Sequence, residues 1–336
     1  MSANALETRA LTIGYRRRGK GDIVLARELN LRLQKGRLVG LLGPNGVGKS
    51  TLLRTLAGMQ KALGGSILLA GQELATLTPM ALARRLSMVL TAAPQPNMMN
   101  GYSLVALGRH PHCDWLGRLT AADHKAVAWA ISAVSADDLA EKPLAELSDG
   151  QRQKLMIARA LAQEPEIMLL DEPTAYLDLP RRVETMQLLK RLARNAGRAI
   201  LVSTHDLDLA LRSCDQLWLM REDNIVTGAP EDLVLQGRLG ETFNAAGINF
   251  DERLGAFILD PPQGRRVQVV GDGTEAIWMR RALERSGYNL CEETSAIEVV
   301  RRANGSAPFW HLRVNGRASE HLSIYAVLEA LESERA

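Results

Sequence analysis

The chain has 336 residues, of which 46% are hydrophobic and 24% charged, with 41 basic side chains against 38 acidic ones. That length allows one large domain with a smaller companion, the composition excludes disorder, and a net charge of +3 is too weak a field to make nucleic acid the main ligand. Three cysteines, Cys113, Cys214 and Cys291, fall in no short paired spacing, which excludes a disulfide framework or a zinc site and fits a reducing cytoplasm. The first ten residues lack the apolar core of a signal peptide, and no later stretch reaches ~18 uninterrupted apolar residues, so no membrane crossing is expected.

In chain order, Leu11-Thr12-Ile13-Gly14-Tyr15 reads as a strand followed by a hydrophilic, Gly-bearing turn from Arg16 to Asp22. Leu38–Leu42 is a short apolar run of the kind buried on both faces of a parallel sheet. It feeds directly into Gly43-Pro44-Asn45-Gly46-Val47-Gly48-Lys49-Ser50. Leu52, Leu53 and Leu56 then share one helical face, and Gly58 is placed to end that helix. From about 78 to 142 helix formers dominate, interrupted by a loop with Pro94, Pro96, Asn97, Asn100 and Gly101, which predicts a mostly helical insertion. Strands with their loops at 167–174 and 199–205 alternate with helices around 151–163 and 181–196, the pattern of an α/β fold. The pattern weakens over 237–262, read as a linker. It resumes in a small α+β domain at 263–336, with a strand at 266–270, a helix at 275–286, strands near 297–301 and 310–314, and a last helix around 321–334. No repeat, low-complexity tract or recognised motif marks this last domain.

The spacing Gly43-x-x-x-x-Gly48-Lys49-Ser50, between an apolar strand and an amphipathic helix, is a phosphate-binding pattern. Glycines let successive N–H groups turn toward one anion, and the positive end of the following helix adds to the attraction. The expected site runs from Gly43 through Pro44, Asn45, Gly46, Val47 and Gly48 to Thr51, with Lys49 on the outer phosphates of ATP and the Ser50 hydroxyl on Mg2+. A second buried strand ends in Asp171-Glu172, placing two carboxylates at the edge where such sheets keep their ligands. Asp171 is expected to assist the metal, and Glu172 to polarise the attacking water as general base. Ser148, in Leu147-Ser148-Asp149-Gly150-Gln151, stands where a helix N-cap belongs.

With that segment in view, residues ~8–236 resemble the ATP-binding-cassette (ABC) ATPases, whose LSGGQ signature occurs here as Leu-Ser-Asp-Gly-Gln. The resemblance implies a P-loop NTPase core and a head-to-tail dimer with a second copy of the chain. Ser148, Asp149, Gly150 and Gln151 of one copy would then face the γ-phosphate held by the other. By the same likeness Tyr15 stacks on adenine, Ala175-Tyr176-Leu177-Asp178 runs across the dimer contact through Asp178, and His205 is the switch histidine. Two departures stand out. Asp149 replaces a glycine, and its carboxylate would repel a triphosphate unless it turns away, as expected here. Where the family has a glutamine completing the metal corner, after the strand Leu86 to Leu90, this chain has Thr91, with Gln95 four residues later. Either can serve.

The segment Ala106-Leu107-Gly108-Arg109-His110-Pro111-His112, continued by Trp115-Leu116-Gly117-Arg118-Leu119-Thr120, is similar to cassettes of iron-siderophore, haem and cobalamin importers. The likeness implies a peripheral ATPase on the cytoplasmic face of the inner membrane. Its partners would be an integral membrane permease, facing the Arg109 segment, and indirectly an extracytoplasmic substrate-binding protein. An exporter subunit and a soluble mechanical ATPase are the competing readings. A single cassette, without fused membrane spans and without a coiled-coil or zinc-bearing insertion, weighs against both.

Overall fold

The computed structural model describes residues 4–17, 19, 21–90, 99–243, 248–252, 255–260, 263–292, 295, 297–304 and 307–334. They form two units, one of Met1–Ala245 with Phe250–Phe257, the other of Ala246–Asn249 with Ile258–Ala336.

The larger unit opens with β1 (Asn4–Tyr15), β2 (Ile23–Leu29), β3 (Arg32–Gln34), β4 (Leu38–Leu42), α1 (Lys49–Leu56), β5 (Gly64–Leu69) and β6 (Gln72–Glu73). β1 begins earlier than the sequence pattern marks, because Ala5 and Leu6 are also buried. It organises a five-stranded antiparallel sheet with β2, β3, β5 and β6. Next come α2 (Pro79–Ala83), β7 (Leu86–Val89), α3 (Gly101–Ala106), α4 (Ala121–Ala133), α5 (Asp149–Ala162) and β8 (Ile167–Asp171). The unit continues with α6 (Leu179–Ala196), β9 (Ala199–Ser203), α7 (Leu207–Ser213), β10 (Gln216–Met220), β11 (Ile225–Gly228), α8 (Pro230–Leu235) and α9 (Arg238–Phe243).

The six-stranded central sheet has the order β11-β10-β4-β9-β8-β7, parallel throughout except for β11. Its strands are apolar on both faces because both faces are covered. Leu38, Leu42, Met168, Leu170, Ile200, Val202, Leu217 and Leu219 pack into a core with the helices α3 to α6. Their neighbours Val39, Leu41, Leu169, Leu201, Trp218 and Met220 pack with α1 and the antiparallel sheet. The period of two along each strand thus assigns successive side chains to different cores.

Two expected boundaries change. β7 lies inside the 78–142 stretch yet pairs with β8 in the central sheet, so the helical layer starts only after it. That layer also takes in α5, which packs on α3 and α4. The 237–262 stretch is not a bare linker. It carries α9, with Leu239 fully buried, and the two-stranded ribbon of β12 (Ile248–Asp251) and β13 (Ala256–Leu259). Phe257 packs edge-on against Phe243 and Phe250, at 5.8 and 5.1 Å between ring centroids.

The smaller unit contains β14 (Arg266–Val270), α10 (Thr274–Arg285), β15 (Asn289–Cys291), β16 (Ile297–Asn304), β17 (Ala307–Val314), β18 (Arg317–His321) and α11 (Ile324–Ser333). Its sheet runs β15-β14-β16-β17-β18. Val267, Val269, Met279, Leu283, Tyr288, Val299, Trp310, Leu312, Val327 and Leu331 form its core. No helix among the described residues is long and apolar enough to cross a membrane.

Candidate nucleotide site

The glycine loop hangs between β4, buried along its length, and the first turn of α1. Gly48 occupies the N-cap position of α1 with φ of 117°, a conformation that favours glycine. A Cβ there would also meet Met220 and Leu25 at 2.9 and 3.0 Å. Lys49 is buried and folds back onto its own loop, donating to the carbonyls of Gly43 at 2.8 Å and Pro44 at 3.0 Å. Burial lowers the pKa of its ammonium, and the nearby charges of Glu172 and Asp171 oppose that shift. The loop lysine and both strand-end carboxylates therefore share one electrostatic neighbourhood. Ser50 and Thr51 follow on α1. The Thr51 hydroxyl is 2.6 Å from the hydroxyl of Tyr15 at the end of β1, which holds this half-exposed ring beside the phosphate-loop helix.

The parallel register of β8 and β9 sets Asp171 opposite Ser203. The Ser203 hydroxyl donates to Asp171 Oδ1 at 2.7 Å and accepts from the backbone N–H of Glu172 at 2.9 Å. Glu172 itself has φ of 49°, an uncommon conformation for a residue with a side chain. Its Oε1 shares a hydrogen bond with Nε2 of His205. The side chains of His205 and Glu172 are 45% and 30% exposed, open enough to meet a ligand. Sequence reasoning missed Ser203. The available signal was a hydroxyl closing an otherwise apolar strand, Ala199-Ile200-Leu201-Val202-Ser203.

Ser148 is the N-cap of α5 in a capping box with Gln151: its Oγ accepts from Gln151 N at 3.3 Å, and its own N–H donates to Gln151 Oε1 at 3.0 Å. Asp149 turns to Arg152, 3.2 Å away, while Arg152 also donates to the carbonyls of Leu144 and Leu147. Asp178 caps α6 through Arg181 N at 3.0 Å. Tyr176 just before it is 85% exposed with φ of 63°. Among the described residues no hydrogen bond or ion pair joins the α5 cap to the glycine loop. Thr91 and Gln95 lie outside the described residues.

Within the segment around Arg109, buried and exposed side chains separate. Arg109 is buried, with Nε 2.8 Å from Asp123 and one terminal nitrogen 2.6 Å from both Glu164 and the carbonyl of Ala162. Asp123 is held down to about 2 by hydrogen bonds from the Thr120 side chain and backbone and from Arg109, with burial opposing. Gly108 is required because a Cβ would stand 2.1 Å from the carbonyl of Arg159. This Gly-Arg pair ties the helical layer together. The exposed surface comes from Leu107, Trp115, at 91%, and Leu116. His112 bonds to the carbonyl of Gln163, and no metal-ligating cluster occurs among the described residues.

Residues 26–175 match the ABC transporter family model, and residues 264–332 match that of the iron ABC transporter C-terminal domain. The chain is 38% identical to an uncharacterized ABC transporter ATP-binding protein of Methanocaldococcus jannaschii, over 85% of this chain and 98% of the relative. It is 37% identical to the iron(3+)-hydroxamate import ATP-binding protein of Bacillus subtilis, over 66% of this chain and 81% of that protein. Among solved structures it resembles cbiO1 from Clostridium perfringens, part of the ABC transporter complex cbiONQ, with a TM-score of 0.60 and 27% identity over 71% of this chain and 96% of that one. The chain belongs to the ABC transporter ATPase family, and it binds and hydrolyses ATP.

Proposed function

We propose that two copies of the chain close on ATP, the glycine loop of one facing the capped N-terminus of α5 in the other, and that hydrolysis drives import of a ferric siderophore, haem or cobalamin. The subunit would work on the cytoplasmic face of the membrane, beneath a separate integral permease supplied by an extracytoplasmic binding protein. The observation that carries the catalytic reading is the Glu172–His205 hydrogen bond at the ends of β8 and β9, beside a buried Lys49 that feels both strand-end carboxylates. In this reading Glu172 holds the attacking water and accepts its proton, and His205 keeps the carboxylate aimed. Ser50 and Asp171 are hard oxygen donors of the type Mg2+ takes, and Mg2+ when bound neutralises charge on the phosphates. Tyr15 offers a ring for the adenine, and Tyr176 and Asp178 offer the dimer contact. The iron-transporter family of the C-terminal unit and the hydroxamate-import relative support the cargo class. Trp115 and Leu116, both exposed, offer an apolar surface for the permease.

Replacing Glu172 by Gln tests the site. ATP binding should persist, hydrolysis should fall by about 10²–10⁴-fold, and an ATP-bound dimer should accumulate on size exclusion. Near-normal hydrolysis would place the base elsewhere. Co-purification with a polytopic membrane protein and uptake of labelled ferric siderophore, haem or cobalamin test the transport reading.

A further inference from the structure

β9 is apolar for four residues and then presents a hydroxyl, Ser203, at 0% exposure. A buried hydroxyl without partners is costly, and this one has two, both on the neighbouring strand end: Asp171 Oδ1 as acceptor at 2.7 Å and the Glu172 N–H as donor at 2.9 Å. The second bond fixes the residue whose backbone is left-handed and whose carboxylate meets His205, two residues beyond Ser203. We infer that Ser203 is a positioning residue for ATP hydrolysis: one hydroxyl sets the rotamer of the metal-side carboxylate Asp171 and the backbone of the base Glu172, locking both groups to one geometry. This rests on the roles proposed above for Asp171 and Glu172. The Asp171 carboxylate is thereby tied to the backbone of Glu172 through a single hydroxyl. β9 ends on the clasp, and His205 follows two residues later, bonded to the Glu172 carboxylate.

The test uses Ser203→Ala and the near-isosteric Ser203→Cys in the full chain. Four quantities are measured: kcat, KM for ATP, melting temperature, and Mn2+ affinity by EPR in the presence of a non-hydrolysable ATP analogue. Loss of such a supporting hydrogen bond costs about 10–100-fold in metal affinity or activity. Ser203→Ala should therefore lower kcat by about that factor and weaken Mn2+ binding, with KM for ATP within about twofold, and Ser203→Cys should fall between it and the parent. In a Glu172→Gln background, Ser203→Ala should cost little further turnover, because groups acting as a unit are non-additive. Unchanged kcat and Mn2+ affinity in a folded Ser203→Ala or Ser203→Cys variant overturns the inference, as does a loss confined to KM. If Glu172→Gln abolishes turnover while Ser203→Ala leaves kcat and Mn2+ affinity unchanged, the positioning role alone fails. Near-normal turnover in Glu172→Gln instead sinks the base assignment itself.

Discussion

Two clusters of charged side chains in the larger unit differ in a telling way. Arg109, Asp123 and Glu164 meet where Arg109 and Asp123 are almost fully buried and multiply hydrogen-bonded. Glu172 and His205 meet half in solvent, on a backbone conformation uncommon for glutamate. The first arrangement spends its bonds on partners within the fold. The second keeps polar capacity facing outward. Both segments drew attention as sequence, and only their partners separate scaffold from candidate chemistry.

The largest expected effect falls on the scaffold. Arg109→Ala leaves Asp123 buried without its cation and should cost about 3–5 kcal/mol of stability, read from chemical denaturation. Loss of transport with unchanged stability would erase the distinction. The pH dependence carries a definite sign. The Asp123 pKa is depressed in the fold to about 2, so its contribution is complete above the ordinary carboxylate range and is lost as pH falls through about 2. The stability gap between the parent and Asp123→Asn should thus hold steady above about pH 4 and close only toward pH 2.

Next in size, Lys49→Ala should lower kcat by about 10²–10³-fold and weaken nucleotide binding, with melting temperature nearly unchanged; calorimetric titration with ATP checks it. His205→Ala should cost about 10–100-fold in kcat. Its pairing with Glu172 would be incidental if a steady-state assay showed no loss. The smallest effect is expected at Asp149, whose exposed pairing with Arg152 is worth about 0–1 kcal/mol. Asp149→Gly should leave stability within that margin.

The phosphate loop and the strand ends were legible because their signals are local: glycines at fixed spacing, and a five-residue apolar run closing on Asp171. The alternation of strand and helix was legible for the same reason. Register was not. Ser203 finds its partners 32 and 31 residues back in the chain, and nothing in the periodicity of β9 names them. The inward turn of Arg109 was not legible because Asp123 and Glu164 lie 14 and 55 residues away, beyond any local pattern. The 237–262 stretch read as a linker since α9, β12 and β13 are too short to display a period.

The chain does not leave the larger unit once. It passes into the smaller unit for Ala246–Asn249, returns for Phe250–Phe257, and leaves again at Ile258. Cutting the gene at a single codon therefore cannot divide the protein cleanly. A stop before residue 246 deprives Phe243 of Phe250 and Phe257, and a stop after residue 257 strands four residues of the other body. For a protease, the practical counterpart is that one nick between 246 and 257 should leave the fragments associated.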